Sequence, residues 1–318
     1  MAPNRLFWIS FLILFIELAS IRWLNASVTV LAYFNNLILI SCFFGLGVGC
    51  LLARKKVSLI HGYPFALLLF VFVVVSLKQH GIDISYKEDV IFVQNAEYYE
   101  KGLARVSLSA LVGFLVNTGL FVMLGQELGK QIEAIGNPLK AYRKDIAGSI
   151  CGILSFAALA WLEAPPHLWF LLAGLGVLVF LPPRKTLMVT AICAIGIATL
   201  VIRSTYPNAH WSPYYKVEVV PYEQLKNENL GYKIIVDNLR IQDALNFTPR
   251  LRESPLWPWF PYYQLPYHFM QPSKVLILGA GAGNEALVAL MHGAKEVHVV
   301  EIDPVIASLG KYVHPNLP

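Results

Sequence analysis

The sequence predicts an α-helical multi-span membrane domain, followed by a small β-rich domain and the beginning of an α/β domain with parallel strands. Hydrophobic residues make up 56% of the 318 residues and charged residues only 14%, whereas a soluble domain carries about 25% charged residues. Seven apolar stretches fall before residue 203, and short strands, turns and a glycine-rich loop follow it. This composition excludes a disordered chain and a purely soluble enzyme.

Seven apolar segments in residues 1–202 approach or reach the about 17–25 helical residues that a bilayer crossing requires. They are 6–24, 28–53, 57–77, 106–128, 146–162, 167–181 and 187–202. The last two are the shortest. As a helix, segment 187–202 would measure about 24 Å against a hydrocarbon core of about 30 Å, so we expect it to be the weakest span.

Lysine and arginine collect in three connections, at residues 54–56, 130–144 and 184–185. Two spans separate each connection from the next, so all three can face the cytoplasm, as the positive-inside rule requires. The connection 78–105 has four basic and five acidic residues and would face the other side. Residues 1–202 hold the entire basic surplus, which argues for a lipid bilayer as partner and against nucleic acid.

Few residues inside the apolar segments point to a special role. Glu17 lies well inside the first segment, and an ionisable residue at that depth is a functional candidate. Arg22 follows five residues later, about 140° around the helix, so the two side chains do not share a face.

Small residues at 45–49 and 148–152 predict close helix packing. The four cysteines lie in apolar runs, which argues against a disulfide framework.

Residues 273–318 have the pattern of the first strand–helix–strand unit of a Rossmann-like nucleoside-binding domain. An apolar run at 275–278 predicts a parallel strand buried on both faces. A glycine loop at 279–284 and a helical pattern follow, and a second apolar strand at 297–300 ends in an acidic residue. Glycines permit a tight turn and allow a ligand to approach the backbone closely. An acidic residue about 20 positions later can accept hydrogen bonds from the ribose hydroxyls. The candidate cofactor-binding residues are Gly279, Ala280, Gly281, Gly283 and Glu301.

The spacing of the glycines indicates the kind of nucleoside. The loop reads Gly-x-Gly-x-Gly, without the extra residue of the usual dinucleotide fingerprint. This favours S-adenosylmethionine or decarboxylated S-adenosylmethionine over NAD or FAD. We expect no metal.

The run VLILGAGAGNEALVALMHGAKEVHVVEIDPVIASLGKYVHPNLP resembles the start of the nucleoside-binding domain of spermidine synthases and their membrane-fused relatives. Residues 211–219 and 234–242 resemble the entry strand and second hairpin of that family's small β-domain, here residues 203–272. The resemblance implies a domain of the S-adenosylmethionine-dependent methyltransferase type that transfers an aminopropyl group to a small-molecule amine. It also implies that the catalytic aspartate and the rest of the sheet lie beyond Pro318. The substrate-side candidates are Tyr215, Gln242, Tyr267 and His268.

The sequence departs from the family pattern at three places. Ala282 occupies the aspartate position of the glycine loop, Tyr215 replaces a glutamine, and Phe269 replaces a glutamate. Carboxylates are the natural partners of a polyamine, so these changes leave methyl transfer open as an alternative. A transporter or sensor with a nucleoside-binding domain is a further alternative. The aromatic residues of the α/β part could line a substrate mouth or simply pack together, among them Trp257 and Trp259.

The sequence predicts a multi-pass protein of the cell membrane and is compatible with an oligomer. Seven spans with a cytoplasmic N-terminus would place the polar part outside. The adenosyl cofactor is made in the cytosol, so a working transferase should face the cytoplasm. We therefore expect that the polar part is cytoplasmic and that one of the seven segments, of which 187–202 is the weakest, does not fully cross.

Overall fold

The structure is a computed structural model that describes residues 4–80, 96–222, 229–248 and 260–316. The chain divides into two compact units, Met1–Pro207 and Asn208–Pro318, named here the helical unit and the α/β unit. The predicted change of character at residue 203 lies five residues before this division. The last helix of the helical unit continues through Arg203 to Thr205, which accounts for the offset.

The described part of the helical unit consists of eight α-helices. They are α1 (Arg5–Ser27), α2 (Thr29–Tyr33), α3 (Asn35–Leu51), α4 (Tyr63–His80), α5 (Ala96–Ile135), α6 (Pro138–Trp161), α7 (Pro166–Val177) and α8 (Lys185–Thr205). Among the described residues, five helical stretches are long and apolar enough to cross a membrane, namely Arg5–Ser27, Leu59–Gln79, Ser107–Ile135, Pro138–Trp161 and Lys185–Thr205. Two shorter apolar stretches are Asn36–Leu51 and Pro166–Phe180.

The helix lengths correct three expectations from the sequence. The segment 187–202 is not the weakest, because α8 has 21 residues and measures about 32 Å. The predicted span 28–53 is divided, since α2 ends and α3 begins on either side of Phe34. The predicted connection 78–105 falls partly on α5, which begins at Ala96, and residues 81–95 lie outside the described part.

The three basic connections lie at one end of the helical unit. Arg54 forms an exposed ion pair of 3.1 Å with Glu133 near the end of α5. Asp145, near the start of α6, accepts a 2.6 Å hydrogen bond from Ser10 near the start of α1. The Arg5 guanidinium lies 5.8 Å from the ring centre of Phe180, the last residue of the 3-10 turn that follows α7. The starts of α1 and α6 and the ends of α3, α5 and α7 therefore share this end.

The opposite end is formed by the ends of α1, α4 and α8. Ser27 and Tyr206 share a 2.5 Å hydrogen bond. The Lys78 ammonium donates to the carbonyl of Thr205 at 3.2 Å and lies 3.9 Å from the centre of the Tyr206 ring. Because α8 starts at the basic connection 184–185 and ends here, it runs the full distance between the two ends.

Glycines bring two pairs of helices into backbone contact. A Cβ on Gly148 or Gly152 of α6 would meet the carbonyl oxygens of Phe7 or Phe11 on α1. A Cβ on Gly45 or Gly49 of α3 would meet the backbone of α5, whereas one on Gly47 would meet nothing within 4 Å. The predicted small-residue patterns are therefore packing surfaces, and Gly47 is outside the contact.

Four strands form an antiparallel sheet in the order β1 (Ala209–Trp211), β2 (Lys216–Pro221), β3 (Gly231–Val236) and β4 (Leu239–Leu245). Asp237 and Asn238 turn the chain between β3 and β4 with φ of 46° and 68°, as a tight hairpin turn of two residues requires. A shift of register between Ile234 and Ile235 bends the pair.

Residues 260–316 form α9 (Phe260–Phe269), β5 (Lys274–Leu278), α10 (Asn284–Met291), β6 (Glu296–Val300) and α11 (Pro304–Tyr312). The strands β5 and β6 are parallel and in register from Lys274 opposite Glu296 to Leu278 opposite Val300. The predicted strand–helix–strand order is confirmed. The prediction that 275–278 is buried on both faces is wrong for the described residues, because Leu276 and Leu278 are 64% and 74% exposed.

The antiparallel sheet, the glycine loop and α11 share one hydrophobic core. The residues of that core come from the antiparallel sheet, the glycine loop and α11: Val217, Ile234, Val236, Ala244, Ala282, Val305, Ile306 and Leu309. The β-rich part and the strand–helix–strand part, which the sequence suggests as separate domains, are thus packed as one body within this unit.

The packing of α3 on α5 predicts opposite effects for two neighbouring glycines. We expect Gly49→Ala to destabilise the helical unit by about 1–3 kcal/mol, because its methyl group would overlap backbone atoms of α5. Gly47→Ala should be neutral or stabilising by up to about 1 kcal/mol, since alanine favours a helix and nothing is displaced. Thermal unfolding of the two variants in the same detergent measures the contrast. Equal unfolding midpoints would contradict the close contact.

Candidate nucleoside site

The glycine loop between β5 and α10 is anchored on the neighbouring strand. The amide groups of Gly279 and Ala280 donate to the carbonyl of Val300 at 2.8 and 3.1 Å. Gly279, Gly281 and Gly283 have φ of 75°, 54° and 99°, a region that residues with a Cβ rarely adopt. The alternating glycines are therefore required by the shape of this turn.

Glu301 lies beside the loop, as its spacing in the sequence predicts. One carboxylate oxygen accepts a 2.9 Å hydrogen bond from the amide of Gly281, and the other accepts a 3.0 Å bond from the amide of Asp303. A carboxylate offers about four acceptor positions. Two remain, which matches the two hydroxyl donors of a ribose.

Gln242 of β4 joins the same group. Its side-chain oxygen accepts a long hydrogen bond of 3.4 Å from the amide of Ala282. A Cβ on Gly281 would overlap the Gln242 side chain, so glycine at this position allows the approach. The structure thus brings Gln242, a predicted substrate-side residue, together with the glycine loop and Glu301.

Ala282 belongs to the hydrophobic core and does not face the site with a polar group. Its side chain is buried in the core shared with Val305 and Leu309. A carboxylate there would be desolvated without a charged partner from that core, which is costly. The position supplies no polar group to the site.

The loop amides are used within the chain. Those of residues 279–282 donate to Val300, Glu301 or Gln242, and that of Gly283 donates to the carbonyl of Ala280 at 3.0 Å. A pyrophosphate needs amide groups that point towards it. In this arrangement these amide groups are not free to bind a phosphate group.

Tyr215 is connected to the acidic end of β6 by a network that sequence reasoning missed. The amide of Tyr215 donates to the Ser212 hydroxyl at 2.9 Å, and that hydroxyl donates to Asp303 at 2.5 Å. Asp303 also caps α11, accepting from the amides of Val305 and Ile306. The available signal was the Asp-Pro pair at 303–304, which is typical of a helix start. The Tyr215 ring is 44% exposed.

The structure does not bring Tyr267 or His268 to the glycine loop. The Tyr267 ring stacks on His292 at 4.9 Å, just beyond the last residue of α10, whereas the loop precedes its first. His268 is exposed. Their assignment as substrate-side residues stays a prediction. Trp257 and Trp259 lie outside the described residues.

Asn284, the first residue of α10, is a buried centre of hydrogen bonds that the sequence did not reveal. Its oxygen accepts from the amide of Leu245 and from His314 Nε2, both at 3.0 Å. Its amide nitrogen donates to the carbonyl of Asp243 at 2.7 Å and to the Tyr263 hydroxyl at 3.1 Å. Burial raises the pKa of Tyr263, while its hydrogen bond with Asn284 opposes that shift.

The described residues contain no group of three or more histidine, cysteine or acidic side chains that could hold a metal ion. No family model, curated protein or solved structure matches the chain. What the site can do is therefore judged from its own geometry.

His314 predicts a pH dependence for the α/β unit. Burial lowers its pKa from 6.5 to about 4. Nε2 donates to Asn284 and Nδ1 accepts from the amide of Asn316, so a second ring proton would meet a donor. The unfolded chain binds that proton more readily than the folded chain. The contribution of neutral His314 to stability is therefore fully present above pH 6.5 and is lost as the pH drops towards 4. We expect the free energy of unfolding of the α/β unit to fall by about 2 kcal/mol between pH 7 and pH 5.

Urea denaturation of the full chain in detergent, followed by tryptophan fluorescence at several pH values, measures this loss. The variant His314→Gln keeps a polar side chain but cannot titrate, so its free energy of unfolding should depend less steeply on pH. Parallel pH dependences for the wild type and the variant would contradict the assignment.

Proposed function

We propose that the α/β unit binds an adenosyl nucleoside and that the chain is a membrane-embedded transferase similar to spermidine synthases. The observation that carries the proposal is the carboxylate of Glu301, which lies against the glycine loop while keeping acceptor positions for a ribose. The parallel β5–α10–β6 order supports a Rossmann-like domain of the methyltransferase type.

In this proposal the side chains divide the work. Glu301 accepts the ribose hydroxyls, the glycine loop allows the nucleoside to approach the backbone, and Gln242 contributes an amide from the other sheet. The reaction that the resemblance implies is attack of an amine on the carbon beside the sulfonium of decarboxylated S-adenosylmethionine. The amine loses a proton and methylthioadenosine leaves, and the chain's contribution is orientation of the two reactants.

Methyl transfer from S-adenosylmethionine remains the alternative reaction at the same site. The polar groups brought together here, Gln242 and Glu301, recognise the nucleoside, and Ala282 adds no carboxylate that would hold a polyamine. Both reactions place the same demand on Glu301.

The surface of the helical unit supports a location in a membrane. Large apolar side chains point outward and are more than half exposed, including Phe43, Phe44, Leu69, Leu154 and Leu200. Polar side chains lie inside, among them Glu17, Asn117 and Gln126, each at most 5% exposed. An apolar exterior around polar side chains is typical of a protein surrounded by lipid, because exposing so large an apolar surface to water is unfavourable.

The direction of α8 favours a second candidate function, a nucleoside sensor or transporter. If the basic connections face the cytoplasm, α8 ends on the opposite side, and the α/β unit follows after Pro207. A transferase that uses a cytosolic cofactor requires a cytoplasmic α/β unit instead. The length of α8 removes the reason for expecting that segment 187–202 does not cross the membrane.

Cysteine labelling distinguishes the two candidates. A single cysteine at Lys311, in the last turn of α11, is introduced into a chain without its native cysteines and treated in intact cells with an impermeant maleimide. Protection until the cells are opened supports the cytoplasmic transferase. Labelling from outside supports the sensor or transporter.

The nucleoside proposal predicts the effect of removing one charge. We expect Glu301→Gln to weaken binding of 5′-methylthioadenosine to the full chain by about 1–3 kcal/mol, because two hydroxyls lose a charged acceptor. This corresponds to a Kd roughly 5- to 150-fold higher. Isothermal titration calorimetry of the protein in detergent measures it.

The matched control is Glu296→Gln, at the opposite end of β6. Glu296 pairs with Lys274 and His298. Its replacement by glutamine should therefore leave the affinity for the nucleoside unchanged. Equal affinity for wild type and Glu301→Gln, or no binding by the wild type, would refute the proposed site.

A further inference from the structure

The connection between α3 and α4, residues 52–59, is held in one shape by a buried side chain of α5. The Gln126 amide nitrogen donates to the carbonyls of Leu52 and Val57 at 3.1 and 2.9 Å. Its oxygen accepts from the amide of Leu59 at 2.8 Å. Lys130, one turn further along α5, donates to the carbonyl of Val57 at 3.4 Å. This connection, named here the basic loop, is therefore fixed against α5 at several points.

The basic loop and the adjoining part of α5 present more cations than acidic partners. The cations are Arg54, Lys55, Lys56 and Lys130. Arg54 forms an exposed ion pair with Glu133 at 3.1 Å. Within the described ranges, no acidic side chain pairs with Lys55 or Lys56, and both are exposed. The surface of the loop therefore carries a local positive charge on a fixed backbone.

An exposed row of α3 leads to the basic loop. Ile40, Phe44, Gly47 and Leu51 follow one another at intervals of four, three and four residues, which places them on one face of the helix. Ile40, Phe44 and Leu51 are more than half exposed. A Cβ on Gly47 would meet nothing within 4 Å, so a shallow gap lies between Phe44 and Leu51.

The length of this row matches one leaflet of a bilayer. From Ile40 to Leu51 the helix rises about 16 Å, and half of a hydrocarbon core of about 30 Å is about 15 Å. The row ends where the cations of the basic loop begin. The surface is thus apolar over the depth of one leaflet and positively charged at its end.

This combination indicates the kind of ligand. A free phosphate ion would be bound by the cations alone and would not require an apolar row beside them. An acidic phospholipid requires both, because its headgroup carries a negative charge and its acyl chains are apolar. Lysine and arginine next to a membrane-spanning helix attract anionic headgroups, with a contribution of roughly fivefold in affinity for each cation.

We propose that the basic loop and the exposed row of α3 form a binding site for one acidic phospholipid. Lys55, Lys56 and Lys130 hold the headgroup, and an acyl chain lies along the row from Leu51 to Ile40. The proposal rests on the proposed location in a membrane and is independent of nucleoside binding by the α/β unit.

Native mass spectrometry of the full chain tests the proposal. The protein is reconstituted in phosphatidylcholine nanodiscs, transferred to detergent and titrated with phosphatidylglycerol or phosphatidylcholine. We expect the wild type to bind one phosphatidylglycerol with a Kd roughly tenfold or more below that for phosphatidylcholine. In the double variant Lys55→Gln/Lys56→Gln the Kd for phosphatidylglycerol should rise roughly 25-fold, because two cations are lost.

The matched control is the double variant Arg184→Gln/Lys185→Gln. It removes the same charge from another basic connection at the same end of the helical unit, where both side chains are exposed. Its Kd for phosphatidylglycerol should equal that of the wild type. An equal rise in both double variants would refute the site, because it would assign the binding to the overall charge of this end.

The apolar part of the site is tested with all charges in place. Leu51 is 84% exposed, so Leu51→Asn should fold normally and raise the Kd for phosphatidylglycerol roughly fivefold through the lost apolar contact. An unchanged Kd would refute the acyl-chain contact. Release of the lipid by inorganic phosphate at a concentration equal to that of the lipid would refute a lipid as the ligand, since a free anion would then suffice.

Two further outcomes overturn the proposal in distinguishable ways. Insertion into phosphatidylcholine nanodiscs with equal affinity for the two lipids refutes the site alone. Failure of the wild type to insert refutes the membrane location and this site with it. If the double variant Lys55→Gln/Lys56→Gln does not fold, the single variants decide, each with an expected rise in Kd of roughly fivefold. An unchanged Kd in both single variants would refute the site.

Discussion

The geometry of the candidate site depends on one buried amide side chain, that of Asn284. Its oxygen accepts two hydrogen bonds and its nitrogen donates two, which is the full capacity of the group. The partners come from β4, α9 and the residues after α11, so the amide fixes the start of α10 against three other segments. A fully satisfied buried network specifies one arrangement, and the glycine loop immediately before Asn284 is thereby held in place.

The two groups that meet at the loop come from different sheets. Gln242 belongs to the antiparallel sheet and Glu301 follows the parallel one. They converge because Ala282 packs in the same core as Val217 and Ile306. Neither sheet alone provides this geometry. The small β-part is therefore a component of the candidate site as well as a neighbouring fold element.

The local elements were more predictable than their contacts. The spacing from Gly279 to Glu301 was sufficient to predict the strand, loop, helix and acid, because each depends on short-range sequence. A continuous apolar run cannot distinguish one buried face from two, so the exposure of Leu276 was not foreseen. The partners of Asn284 lie 21 to 41 positions away and Asp303 lies 91 positions from Ser212, so the sequence gives no local signal of these contacts. The contact of Tyr267 with His292 has no local signature either, because it depends on tertiary packing.

In the helical unit, close packing and hydrogen bonds must replace the hydrophobic effect if the surrounding solvent is lipid. The glycines of α3 and α6 provide the close packing. Gln126 of α5 provides hydrogen bonds, because its side chain accepts from the amide of Leu59 and donates to the carbonyls of Leu52 and Val57. Each of these polar contacts ties two segments together with its donors and acceptors matched.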